Sequence, residues 1–285
     1  MKFSVIVPFL NEEKYIRKCA ESLLSQEFDK SEYELIFIDN GSTDNSVAIV
    51  KQFREIKLLY ENRRNVYAAR NSALEIAKGG IIVFTDADCV VSKDWLAQIS
   101  RGMDTCNADI VLGRVFSGRK ISRVLKIVED YHNTRIKYIL ANRLNRYYYG
   151  YTNNMAIKVD IFRKLGKFKE WPIPGDTEII HRCQCAYPGF KIAYLDDMRV
   201  VHLEVTNLAI WMKKIFFYGK HNIILEKTYA YSPLDFSLRR KITLHCFKVN
   251  RYGFFKKILS VFILRLCGFV YQSGRIAGKI TFSRF

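Results

Sequence analysis

The chain alternates short apolar runs with stretches whose apolar residues recur at a helical spacing. FSVIV (3–7) reads as a buried strand stopped by Pro8. From Asn11 to Ser25 the apolar positions are Tyr15, Ile16, Cys19, Leu23 and Leu24, which predicts a helix. Asn11 suits its N-cap, and Glu12 and Glu13 its first turn. YELIFI (33–38) predicts a second strand, ending in Asp39 and followed by the turn-rich NGSTDNS. Asp44 would then cap a helix running to about Phe53. Residues 56–60 form a weaker third strand, and VYAARNSALEIA (66–77) is Ala-rich and helical. GIIVF (80–84) is a fourth buried strand. Strands and helices joined by short loops predict an α/β fold: a mostly parallel sheet with helices on both faces.

The second half is patterned less regularly. A helix is expected over 93–104, a strand over DIVLGRVF (109–116), and a long basic helix within 120–145. FKIAYLDDMRVVH (190–202) reads as two short strands ending in His202. An aromatic, basic helix follows within 206–227. A dense basic run lies at 239–257. The most apolar stretch of the chain is ILSVFILRLCGFVYQ (258–272). It is interrupted by Arg265 and is shorter than the roughly 20 residues a spanning helix needs. An interfacial amphipathic helix is the preferred reading, with a helix packed on the rest of the protein as the alternative.

Two strands end in acids: Asp39 after the second, and Asp86 and Asp88 after the fourth. In an open α/β sheet, ligands bind beyond the carboxyl ends of the strands. Two carboxylates there are costly to bury unless they are paired or hold a cation. Mg²⁺ is commonly held by one or two carboxylates together with substrate phosphates. The plainer alternative has Asp86 capping the turn and Asp88 solvated. No G-x-G-x-x-G follows the first strand, and no P-loop occurs anywhere, which disfavours dinucleotide and P-loop enzymes.

Charge changes the picture of the C-terminal part. The net charge is +18, but residues 205–285 hold 15 Lys/Arg against 2 acids, whereas residues 1–204 hold 31 against 26. A basic, aromatic segment points to an anionic surface. It carries no recognisable nucleic-acid module, so nucleic acid is not the expected partner. The seven cysteines are scattered, and the chain starts directly on a strand-like run with no leader. A cytoplasmic protein with reduced thiols is expected, peripheral at the inner face of the membrane. His181, Cys183 and Cys185 lie close together but lack a second pair at zinc spacing.

Four segments in order, SVIVPFLNEE (4–13), IFIDNGSTDNS (36–46), AARNSALEIA (68–77) and FTDADC (84–89), resemble the inverting family 2 glycosyltransferases of GT-A fold. The resemblance covers about residues 1–204. It implies a catalytic domain over 1–204, with a nucleotide-sugar half (1–116) and an acceptor half (117–204), followed by a basic helical appendage (205–285). It also implies a nucleotide-diphosphate sugar donor, a divalent cation (Mn²⁺ or Mg²⁺), and a glycan or lipid-linked acceptor. By resemblance Pro8, Asn11 and Glu12 line the nucleotide pocket, and Asp39 accepts from the base. A carboxylate suits the imide N–H of uracil because it only accepts. Arg70 reaches the nucleotide, Asp86 touches the ribose or the water shell of the metal, and Asp88 ligates the metal. His202 would complete the ion's shell or be structural.

Asp176, in GDTEI (175–179), is the general base by resemblance. The family more often has an acid where this chain has Gly175, so Glu178 is the alternative if the register differs by two. Asn153 and Asn154 would bond sugar hydroxyls or form a turn, and Trp171 would stack on a sugar or fill the core. A nucleotidyltransferase, a nucleic-acid-binding protein and a catalytically silent scaffold are the competing classes.

Overall fold

Strongly apolar, β-branched runs bounded by turn residues fix the strands, and two of them, Phe3–Phe9 and Tyr33–Asp39, are buried along their whole length. The computed structural model describes residues 1–118, 122–170, 174–187, 189–205, 207–229 and 231–283. The first half runs β1 (Phe3–Phe9), α1 (Ile16–Leu24), β2 (Tyr33–Asp39), α2 (Ser46–Val50), β3 (Ile56–Tyr60), α3 (Val66–Ile76) and β4 (Ile81–Phe84). Then come β5 (Cys89–Val91), α4 (Trp95–Cys106), β6 (Ile110–Ser117) and α5 (Arg123–Ala141). The rest is β7 (Met155–Lys158), α6 (Val159–Leu165), α7 (Gly175–Ala186), β8 (Ile192–His202), α8 (Leu208–Thr228), α9 (Phe236–Val249) and α10 (Phe254–Thr281).

One sheet of eight strands has the order β3-β2-β1-β4-β7-β6-β8-β5. The first four strands are parallel, whereas β7 pairs antiparallel with β4 and β6, and β5 antiparallel with β8. The chain winds outward from β1 to β3, then returns to place β4 on the other side of β1. That reversal opens a crevice at the carboxyl ends of β1 and β4.

Several local expectations are corrected. Pro8 does not stop β1: it pairs in register with Ile38, and the strand runs to Phe9. The partnership with β4 ends at Ile6, so from there β1 has a neighbour on one side only and tolerates a residue without an N–H. Asn11 is not a helix cap. It has φ 57° and its Oδ1 accepts from the Thr43 N–H, while α1 starts only at Ile16. Asp44 does bond the Ser46 N–H, but α2 ends at Val50, short of Phe53. Residues 192–202 form one continuous strand, not two. β5, a three-residue strand, had no periodicity to reveal it.

The chain forms two compact units that interleave along the sequence. The first is Met1–Phe116, Gly150–Trp171 and Arg182–Leu203; the second is Ser117–Tyr149, Pro172–His181 and Glu204–Phe285. The first holds the sheet and a core in which Phe3, Val5, Val7, Phe37, Val83 and Trp95 are fully buried. The second is helical. In one of its cores, Ile127 and Val128 of α5 pack with Phe247 of α9, Tyr252 and Ile263 of α10. α8 and α10 approach until their backbones touch: a Cβ on Gly219 would fall 2.2 Å from the Tyr271 carbonyl oxygen. No helix among the described residues is long and apolar enough to cross a membrane.

Candidate active site

The loops after β1 and β2 are laced together by reciprocal bonds. The N–H groups of Asn11, Glu12 and Glu13 donate to Ser42 Oγ, Ser46 Oγ and Asp44 Oδ2. In return the Thr43 N–H donates to Asn11 Oδ1 and the Asn45 N–H to Glu13 Oε2. Short polar side chains that bond nearby backbone are the reason a turn sequence such as NGSTDNS takes one shape. Pro8 is buried beneath this lattice, Glu12 is half-buried, and Asn11 is exposed.

Asp39, at the carboxyl end of β2, is 6% exposed. Its Oδ1 accepts the Ser42 N–H at 3.0 Å, and no described residue donates to its other oxygen. An acceptor held in place with one oxygen open is suited to an N–H of a ligand. Arg70 lies on the inner face of α3, 3% exposed, with its guanidinium 5.4 Å from the Tyr67 ring. It donates through Nη2 to Asp86 Oδ1 at 2.9 Å, and its buried Nε has no hydrogen-bond partner among the described residues. Arg70, the arginine expected to reach the nucleotide, is paired with Asp86 here. Asp86 remains about one-third exposed and open to the crevice.

Asp88 and His202 come together through strand pairing. Cys89 lies opposite His202 in the β5–β8 register, and the Leu203 N–H donates to the Asp88 carbonyl at 2.8 Å. His202 Nδ1 lies 3.1 Å from Asp88 Oδ2, and both side chains are nearly buried. Two ligands at right angles, each about 2.1 Å from an octahedral ion, stand about 3 Å apart. Ligand atoms of Asp88, Cys89 and His202 all lie within 4.8 Å of one another. The Cys89 thiol sits 3.6 Å from Asp88 Oδ1. Burial first, then the carboxylates of Asp88 and Asp86, push its pKa well above the ordinary thiol value. The oxygen–nitrogen pair of Asp88 and His202 fits a hard divalent cation such as Mn²⁺, with the Cys89 thiol beside it. Cys89 and the nearby buried Cys19 were not singled out from the sequence; only three-dimensional pairing gives them a place. All seven cysteines are free thiols.

The asparagines fare differently. Asn154 is fully buried, with Oδ1 accepting Trp95 Nε1 at 2.9 Å and Nδ2 donating to the carbonyls of Arg114 and Met198, both at 2.9 Å. Its amide joins β6, β8 and α4 and has nothing to offer a sugar. Asn153 is half-buried; its carbonyl accepts from Thr85, and its Oδ1 is buried with no partner among the described residues. Trp171 lies outside the described residues.

In the second unit, α7 starts beyond Pro174, whose carbonyl accepts the N–H groups of Thr177 and Glu178. Asp176 is in the first turn, half-buried, with Oδ1 accepting the Thr177 N–H at 2.8 Å. Glu178 is fully buried and accepts the Tyr229 hydroxyl. One turn on, His181 Nε2 is 2.9 Å from the Tyr148 carbonyl, and desolvation lowers its pKa. Glu178 is thus committed to the packing of α7 on the end of α8, and Asp176 is the accessible acid of the pair.

A sheet that is parallel over β3-β2-β1-β4, includes antiparallel pairs beyond, and is lined with carboxylates at the switch point defines the GT-A class of fold. Solved structures agree. The 1–349 portion of TarS from Staphylococcus aureus superposes with a TM-score of 0.58 at 22% identity, over 85% of this chain and 69% of that one. A mannosyltransferase from Pyrobaculum calidifontis, solved with GDP-Man and Mn²⁺, gives 0.61 at 18%, over 94% and 75%. The family model for glycosyl transferase family 2 matches residues 4–166, and the chain belongs to that family. The glycosyltransferase AglE of Haloferax volcanii is 30% identical over 227 residues, 77% of this chain and 72% of AglE. TarS, a poly(ribitol-phosphate) β-N-acetylglucosaminyltransferase, is 37% identical over 117 residues, 39% of this chain but 20% of TarS.

Proposed function

We propose that this glycosyltransferase is an inverting enzyme that moves a sugar from a nucleotide-diphosphate sugar, by preference a UDP-sugar, to an acceptor hydroxyl. The acceptor is a glycan or a lipid-linked glycan, in surface polysaccharide or glycolipid synthesis. The cytoplasmic face of a membrane is the expected place, with residues 205–285 against anionic lipid. The observation that carries the reading is that Asp39 ends β2 and Asp86 and Asp88 follow β4, the two parallel strands that flank β1, with Asp88 paired to His202 at the end of β8. A related TarS structure solved with UDP-GlcNAc supports a uridine donor.

Each residue then has a task. Asp39 takes the imide N–H of the base, and the loop of Pro8, Asn11 and Glu12 forms the pocket wall. Arg70 holds Asp86 toward the ribose. Asp88 and His202 would hold a divalent ion, Mn²⁺ in preference to Mg²⁺ because of the imidazole, whose chemistry is to neutralise the departing diphosphate. Asp176 takes the proton of the acceptor hydroxyl as that oxygen bonds to the anomeric carbon. The bond from that carbon to the diphosphate breaks on the opposite face, so the configuration inverts. The transition state is oxocarbenium-like, so the protein contributes mainly by positioning and by electrostatic stabilisation.

The test is a thermal-shift panel of nucleotide diphosphates with Mn²⁺, with Mg²⁺ and with a chelator, since a ligand of the native state raises its melting temperature. A metal-dependent rise with one diphosphate, absent in Asp88→Ala, is expected. No rise with any nucleotide in folded protein would reject the donor site.

A further inference from the structure

Helix α10 has two apolar faces, and only one of them is covered. On the inner face Ser260, Ile263, Leu264, Gly268, Gly274 and Gly278 are buried. A Cβ on Gly274 would fall 2.2 Å from the Phe216 carbonyl oxygen, and one on Gly278 2.1 Å from that of Lys220, so α8 seals this side. The other face is open. Phe254, Ile258, Phe262, Phe269, Ile276 and Ile280 are between 56% and 74% exposed. At about 100° per residue these six fall within an arc of about 80°. The stripe runs the length of a 28-residue helix, about 40 Å at 1.5 Å per residue. Scattered exposed apolar residues need no explanation, but six large ones on one helix face, broken only by Arg265 and Gln272, mark an interaction surface.

Charge says what covers it. Exposed Lys257 and Lys279 lie beside the stripe, and exposed Arg265 falls within its arc, where a long side chain can reach back to headgroup level. Residues 205–285 carry 15 Lys/Arg against only Glu226 and Asp235. Glu226 is already paired with Arg275, and Asp235 caps α9 by accepting the Leu238 N–H. A second copy laid on this face would bring two strongly positive segments together, which is repulsive. An anionic bilayer has the complementary charge and accepts an apolar stripe at the boundary between headgroups and acyl chains.

We propose that α10 lies in the plane of an anionic phospholipid membrane, with Phe254, Ile258, Phe262, Phe269, Ile276 and Ile280 inserted and the lysines and arginines at headgroup level. The proposal rests on the membrane-face part of the function above and gives it an orienting element: one face of α10 is held by α8 and the opposite face by lipid. The helix lies on the surface instead of crossing it, and no described helix is long and apolar enough to cross.

The experiment is co-sedimentation of the full chain with phosphatidylcholine vesicles, with and without phosphatidylglycerol. Binding is expected only with phosphatidylglycerol and is expected to weaken as salt is raised. Phe262→Ser with Phe269→Ser should lower partitioning at least about tenfold, since each phenyl ring returned to water forfeits a large apolar burial. The melting temperature of that variant should stay at the wild-type value because neither ring supports the fold. Lys257→Glu with Arg265→Glu should weaken binding most at low salt. The proposal is overturned if wild-type protein ignores both vesicles, if the double serine variant binds as well as wild type, or if that variant melts several degrees lower. Sedimentation velocity covers the remaining occupant: a dimer that the serine variant dissolves, without vesicle binding, assigns the face to a second copy and overturns the lipid. The nucleotide-diphosphate shift, measured in parallel, reports on the donor site alone, so failure of either reading is visible separately.

Discussion

The two ends of β2 carry one acid each, and they do opposite things. Glu34, near the start of the strand, is 7% exposed. It accepts from Ser4 Oγ at 2.6 Å, the Lys78 N–H at 2.7 Å and Lys57 Nζ at 2.6 Å. Asp39, at the other end, is as buried but has one donor among the described residues, the Ser42 N–H. Glu34 is satisfied within the protein and holds the amino-terminal edge of the sheet together. Asp39 is oriented but left receptive. The same contrast recurs in α7, where Glu178 is enclosed with Tyr229 and Asp176 stays accessible two residues away. A buried acid surrounded by protein donors is structural; one that stays accessible at the end of a strand or the start of a helix can meet a ligand.

The sharpest way to break the comparison is the α7 pair. Asp176→Asn should lower glycosyl transfer by on the order of 10²- to 10⁴-fold, the usual worth of a general base, at nearly unchanged melting temperature. Glu178→Gln should lower the melting temperature instead, because the bond from Tyr229 weakens inside a closed environment. If Asp176→Asn keeps more than a third of the activity and Glu178→Gln in folded protein abolishes it, the roles are reversed. Next in size is Asp88→Asn. It should cost on the order of 10²- to 10³-fold in transfer rate, and Mn²⁺ should no longer raise the affinity for the diphosphate in calorimetry.

Glu34→Ala tests the structural half. It strands the Ser4 hydroxyl, the Lys78 N–H and Lys57, for a loss of about 1–3 kcal/mol in denaturant unfolding, while nucleotide affinity stays put. Asp39→Asn is the mirror image: about tenfold weaker nucleotide binding, with little change in unfolding midpoint. The smallest effect is the pH dependence of Glu34. Burial is the largest influence and raises its pKa, but the bonds from Lys57, Ser4 and Lys78 together outweigh it and hold the pKa below the usual 4.5. The unfolded chain therefore takes up the proton first. The stabilisation is complete above the unfolded value near 4.5 and is lost as pH falls through the lower, folded value. In Glu34→Gln this component of acid destabilisation should be absent from urea titrations between pH 6 and about 3.

The β-α-β alternation and the acids at the strand ends were readable in the sequence because both are local. Apolar run length, turn residues and helix spacing depend on neighbours in the chain, and a strand's direction tells which of its ends faces ligand. The motif match singled out Asp39, Asp88 and Asp176 as the candidate site residues. Local reading went astray where a distant segment competed. Asn11 looked like a helix cap, but Thr43 offered its side chain a backbone N–H in another loop. Pro8 looked like a strand end, but β1 has lost one neighbour at that point and a missing donor costs little.

The sequence by itself determined the family, the parallel first half of the sheet and the basic character of residues 205–285. Tertiary structure alone decided which polar groups are receptive. Asn154 and Glu178 have the same composition value as any asparagine or glutamate, yet their neighbours from other elements satisfy them. His202 reaches Asp88 only through the β5–β8 register, and the inner face of α10 is told from its exposed stripe only by the packing of α8, α5 and α9. Hydrogen-bond satisfaction and burial are properties of where segments meet, and that information is absent from any window along the chain.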